Sequence, residues 1–279
     1  MANSLDQLII EPTTEQALEN YLARPAHSLM LVGASGVGLG TIAQTLGHAI
    51  AGGSTIFLTP TTHKQQKTSI INADDIADLI KITRDKRGEP LAIVINDADK
   101  TAPGVFERLL KLIEEPVPNI CYIITTHNLS SIPATIMSRS NVIRLKLPNE
   151  NQCASLLSKL DTRKRAQIEF LAPNQPAEIR RLIDDEAYFE GRAATVRDAR
   201  SLLTGNLAAR LELISDVKDR NEALKLCQNI ARLITLTMRR DSQNAAKWVQ
   251  RLNIVNKTAD SLALNANLRL ELLNLALAL

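Results

Sequence analysis

The chain has 279 residues, with 33 Lys and Arg against 30 Asp and Glu, and is 45% hydrophobic but only 3% aromatic. The net charge of +3 excludes a polyanionic or strongly basic chain, and no apolar run reaches the roughly 18 residues that a membrane helix needs. Cys121, Cys153 and Cys227 lie far apart with no CxxC, which excludes a local zinc knuckle and argues against a disulfide framework; a reducing cytoplasm is the expected setting.

Met1–Asp6 has no basic, signal-like start. Thr14–Leu22 has helical spacing and Pro25 stops it. Ser28–Val32 reads as a short apolar strand, followed by the glycine loop Gly33–Gly40 and a helix from Thr41 to Ala51. Thr55–Leu58 reads as a second strand. Ala73–Arg84 is amphipathic, with Ile76, Leu79 and Ile80 on one face and Asn72 as its expected N-cap. Leu91–Ile95 is continuously apolar, the pattern of a strand covered on both faces. Val105–Ile113 is a helix ended by Pro116, Ile120–Ile124 is another buried strand, and Thr125–Asn128 is expected to be its exit loop. This alternation predicts a three-layer α/β domain with a mostly parallel sheet.

Pro148–Glu150 reads as a junction, after which no strand is expected. Asn151–Lys159, Arg163–Leu171, Ala177–Asp185 and Arg192–Leu203 read as short helices. All 11 Gly and 11 Pro lie at or before Gly205, so 206–279 lacks the usual turn residues. There the patterns Arg220–Arg239, Asn244–Asn253 and Leu262–Leu279 predict long helices. Leu268, Leu272, Leu275 and Leu279 recur at three- or four-residue steps, as core or as a face for another subunit. Residues 151–279 carry 20 basic and 15 acidic side chains, the balance of a solvated surface.

The loop between the first strand and its helix has the GxxxxG spacing of a phosphate loop in Gly33 and Gly38, with Gly36 between them. In such loops backbone N–H groups face an anion at a helix N-terminus. The next two residues should be Lys and Ser or Thr, for the phosphates and magnesium. Here they are Leu39 and Gly40, and Thr41 brings a hydroxyl one position late. The loop is therefore read either as a structural turn or as a site of weak or structural ATP or ADP binding. A dinucleotide fingerprint fits worse, because Gly36–Thr41 lacks its last glycine. The buried strand Leu91–Ile95 ends in Asn96-Asp97, where an NTPase carries Asp-Glu for the magnesium shell and the attacking water.

The run Ile93–Leu145 resembles the central block of bacterial DNA polymerase III clamp-loader AAA+ subunits, the gamma/tau and delta-prime family. It carries the family's strand end at Asn96–Lys100, its Leu-Leu-Lys-x-x-Glu-Glu-Pro at Leu109–Pro116, its Thr-Thr at Thr125-Thr126, and its Ser-Arg-Cys as Ser138-Arg139-Ser140, without insertion. Val255–Leu279 resembles the closing collar helices. The resemblance implies a P-loop AAA+ domain over 1–148, a small helical lid over 149–205 and an all-α collar over 206–279. It also implies a delta-prime-like stator in the loader that places the sliding clamp on primed DNA. The expected partners are the gamma/tau and delta subunits, the clamp, and primed DNA through the complex. A gamma/tau-like ATPase and a non-replicative AAA+ scaffold are the alternatives.

By the same resemblance, Arg139 stands at the arginine-finger position, acting in trans on a neighbour's ATP. Thr126 and His127 stand where relatives place a first sensor, and Ala177 where the ATPases have a second-sensor arginine. Many relatives hold zinc between the loop and the acidic strand. The interval 52–89 here has only His63 as a candidate ligand, so no zinc is expected. With one Trp, three Tyr and four Phe, any DNA contact is expected at phosphates and to be salt-sensitive.

Overall fold

The computed structural model describes residues 5–62, 69–85, 88–102, 104–240 and 244–279. Period-two alternation sorts the side chains of its strands onto two faces. On β1 (Ser28–Gly33), Met30 and Val32 enter one apolar cluster and Leu29 and Leu31 another. On β3 (Leu91–Ile95), Leu91, Ile93 and Ile95 follow the first and Val94 the second. With β2 (Thr55–Leu58), β4 (Ile120–Thr126) and β5 (Asn141–Leu145) they form one sheet in the order β2-β3-β4-β1-β5. Every pairing in it is parallel.

One face is covered by α3 (Ala73–Asp85), α4 (Val105–Glu114) and the short α5 (Ala134–Met137). The other is covered by α1 (Pro12–Ala23) and α2 (Leu39–Ala51). Both faces of β3 and β4 are thus dry, which is why both read as unbroken apolar runs. Each large aliphatic buried this way contributes about 1.5–3 kcal/mol.

Three expectations need correction here. Thr125 and Thr126 are not loop: they extend β4, in register with Leu31 and Val32 of β1. Asn141–Leu145 is a strand although none was expected there. It is an edge strand with only Ile143 and Leu145 buried, so its apolar signal is two residues long. Helix α2 begins at Leu39, two residues early, because Gly38 takes a left-handed φ of 97° as its N-cap.

After β5, Asn149 and Gln152 form a capping box at 2.8 and 2.9 Å that starts α6 (Glu150–Leu157). Then come α7 (Thr162–Leu171) and α8 (Pro176–Asp184). The chain divides into two compact units, 1–182 and 183–279.

The second unit is wholly helical: α9 (Glu186–Thr204), α10 (Leu207–Asp216), α11 (Arg220–Arg240), α12 (Ala245–Ala263) and α13 (Leu268–Ala278). Asparagine does the punctuation that Gly and Pro do elsewhere. Asn206 and Asn267 cap α10 and α13, and Asn265 turns the chain at φ 67°. The helix expected over Asn244–Asn253 therefore runs on to Ala263, and the last starts at Leu268 rather than Leu262. Likewise α9, capped by Asp185, begins at Glu186, six residues before the expected start at Arg192. Leu272, Leu275 and Leu279 are core, with Leu268 packed against them; the exposed leucines of α13 are Leu270, Leu273 and Leu277.

Candidate functional site

The C-terminal ends of β1, β3 and β4 meet, and the glycine loop leaves from the first of them. Gly36 and Gly38 hold φ of 83° and 97°, a backbone that other residues adopt only with strain. Val37 and Leu39 are buried, at 4% and 2% exposure, in the apolar cluster under the loop. The side chain at the lysine position thus fills core. Gly40 lies against Asn96: a Cβ there would stand 3.1 Å from the Asn96 Oδ1. The residue expected to bring a hydroxyl and the residue expected to bring a carboxylate are neighbours in space, and here they offer neither.

The Asn96 Oδ1 accepts from the Thr125 hydroxyl at 2.8 Å, and the Thr125 Oγ1 in turn accepts from the Asp97 N–H at 2.9 Å. Asp97 itself has a left-handed φ of 51°. Its carboxylate pairs with Lys100 at 2.8 Å and lies 3.5 Å from the His127 Nε2. The other ring nitrogen of His127 is 2.8 Å from the Gly33 carbonyl, and its backbone N–H donates to Asp99 at 3.0 Å. The buried Thr126 hydroxyl lies 3.1 Å from Asp99. One polar network therefore ties the strand ends to the first residue of the loop.

Residues distant in sequence lie over the loop. The Ala177 N–H donates to the Gly36 carbonyl at 3.1 Å, and Ala177 abuts Gly38. A Cβ on Gly36 would come within 2.8 Å of the Gln175 Cβ. Gly36→Ala is accordingly expected to destabilise the protein by ~1–3 kcal/mol, measured by denaturant unfolding. What remains is a cleft of about 130 Å³, lined by Leu8, Ile9, Val37, Gly38, Thr41 and Arg180 among others. Sites for drug-sized ligands run to roughly 300–1,000 Å³. Gln175, Asp99 and Lys100 escaped the sequence reading as site residues. For Gln175 no local signal exists, since it reaches the loop only through the fold.

Arg139 follows α5 and takes no part in this network. Its guanidinium pairs with Glu114 at 2.8 Å and donates to the Thr135 carbonyl at 3.1 Å and the Ser138 hydroxyl at 3.4 Å. Ser140 donates to the Ile136 carbonyl and lies 2.8 Å from the Ser28 hydroxyl, joining the Ser-Arg-Ser turn to β1. The three cysteines are free and buried; burial pushes their thiols up, that of Cys227 to about 11, away from the thiolate that metals need. Among the described residues no three His, Cys, Asp or Glu side chains cluster as a metal site, and no helix is long and apolar enough to cross a membrane. His63 lies outside the described residues.

Residues 55–149 match the family model described as DNA polymerase III, delta subunit. That span carries Asn96, Asp97, Thr126, His127 and Arg139 but not the glycine loop. No curated protein matches the sequence. Among solved structures, a DNA polymerase III gamma subunit-related protein from Thermotoga maritima is 14% identical with a TM-score of 0.57, covering 95% of this chain and 97% of its own. The Thermotoga maritima RuvB Holliday junction branch migration motor is 16% identical with a TM-score of 0.46, covering 77% of this chain and 73% of its own. The order β2-β3-β4-β1-β5 with helices on both faces is the AAA+ P-loop fold that the sequence led us to expect, followed by C-terminal helices. Residues 55–149 are thus similar to the DNA polymerase III delta subunit family, and the chain as a whole shares the fold of the gamma subunit-related protein.

Proposed function

We propose that this chain is a delta-prime-like stator of a clamp loader, with no ATP turnover of its own, that lends Arg139 to the ATP site of a neighbouring subunit. The observation that carries this reading is the meeting of Gly40 and Asn96. Magnesium beside a phosphate loop needs a hydroxyl and a full negative charge. The pair supplies a hydrogen atom and a neutral amide. Leu39, buried at the lysine position, and Asp97, paired with Lys100, support the same conclusion. Ala177 brings no charge to the loop it abuts.

A finger working in trans must be free to leave its own chain. Arg139 and Glu114 are 42% and 38% exposed, and ion pairs so exposed contribute only about 0.2–1 kcal/mol. A phosphoryl oxygen can outcompete that pairing, and the planar guanidinium suits it through two parallel bonds. The leucine stripe Leu270, Leu273 and Leu277 on α13, with Leu264 at 83% exposure, supports collar packing on other subunits. In this reading the partners are gamma/tau and delta subunits, the sliding clamp, and primed DNA through the complex. The three-part division at 148 and 205 belongs to the same proposal.

The test is assembly. The purified chain, mixed with clamp-loader ATPase subunits, is expected to elute with them as a hetero-oligomer on gel filtration. Elution at its own monomer position, whatever the nucleotide added, would overturn the reading.

A further inference from the structure

Glu114 is the last residue of α4 and belongs to the Glu-Glu-Pro stop, where two carboxylates follow each other. They are not equivalent. Glu114 reaches across to the α5 turn and holds the Arg139 Nη2 at 2.8 Å, while the Nη1 of the same side chain is held by Thr135 and Ser138. Both terminal nitrogens that could grip a phosphate are thereby turned onto the chain's own atoms. A carboxylate is also a poor companion for a guanidinium approaching a polyphosphate, since it repels the same oxygens that the arginine must reach.

We infer that Glu114 is a positioning residue that keeps Arg139 on its own subunit until a neighbour's ATP displaces it. This rests on the trans-acting role proposed for Arg139. Arg139 then distributes between two anions, and Glu114 sets the fraction engaged. An exposed pair shifts that balance by a small factor, so the expected effect is a modest gain rather than a loss.

The experiment is single-turnover ATP hydrolysis by the reconstituted complex, read at the site that Arg139 is proposed to serve. It compares the wild-type chain, Glu114→Gln, Arg139→Ala, the double variant, and Glu115→Gln as the adjacent control. Glu114→Gln is expected to raise the rate about threefold, Glu115→Gln to leave it unchanged, and Arg139→Ala to abolish the gain. A residue that merely ended α4 would, when replaced, lower the rate in both backgrounds. If Arg139→Ala lowers hydrolysis but Glu114→Gln does not raise it, or raises it equally in the Arg139→Ala background, this inference falls and the finger stands. If Arg139→Ala leaves hydrolysis unchanged, the finger falls and takes the inference with it. Gel filtration of each complex shows that the comparison is made on assembled material.

Discussion

Replacing Arg139 with alanine is expected, in the proposed trans-acting role, to slow hydrolysis at the neighbour's ATP site by about 10³-fold or more, the range in which arginine fingers act on kcat. The whole complex should lose only the share of turnover that this one site carries, so the effect is best read by single-turnover hydrolysis. Assembly should survive. Arg139 is exposed, its ion pair with Glu114 contributes little to folding, and the core residue of its turn is Ile136. Arg139→Lys should recover only part of the rate. Lysine restores a positive charge but not the two-pronged donor that matches a phosphoryl group. Unchanged single-turnover kinetics in an intact complex would remove Arg139 from the reaction.

The second large effect concerns the loop. Leu39→Lys restores the residue that a phosphate loop requires, yet it is expected to add no tight, magnesium-dependent ATP binding. Three obstacles remain after that change: Gly40 has no hydroxyl, Asn96 has no charge, and Asp97 is engaged by Lys100 beside His127. The same substitution should cost about 2–5 kcal/mol of stability, because it removes a 2%-exposed leucine from the cluster under the loop and a lysine cannot remain there charged. Calorimetry with ATP and magnesium, alongside thermal unfolding, checks both parts. Tight binding by the Leu39→Lys chain would mean that the lysine alone had been missing.

Much of this architecture is written locally. The buried strands Leu91–Ile95 and Ile120–Ile124 announce themselves because both of their faces are covered, so no polar residue interrupts them. β5 does not, because Asn141, Val142 and Arg144 face outward and only Ile143 and Leu145 are buried. Helix ends in the second unit were misplaced for a related reason. Beyond Gly205 no Gly or Pro marks them, and the turns depend on Asn206, Asn265 and Asn267, whose left-handed and capping geometries look in sequence like any polar position.

The site divides the same way. That Leu39 and Asn96 depart from a working phosphate site is legible one residue at a time. That Gly40 and Asn96 confront each other, and that Gln175 and Ala177 close over Gly36 and Gly38, are consequences of the sheet order and of a turn some 140 residues later in the chain. The Arg139–Glu114 pair likewise requires that α4 end beside α5, which spacing alone does not tell.

In the proposed role this chain completes a neighbour's ATP site and has none of its own. The most direct measurement is a structure of the assembled complex with a non-hydrolysable ATP analogue and magnesium. The Arg139 guanidinium is expected to be released from Glu114 and within hydrogen-bond reach, roughly 3 Å, of a γ-phosphate on the adjacent subunit. Leu39 is expected to stay buried, with no magnesium–nucleotide at Gly33–Gly40. Magnesium-bound nucleotide in that loop, with Arg139 still paired to Glu114, would contradict this role.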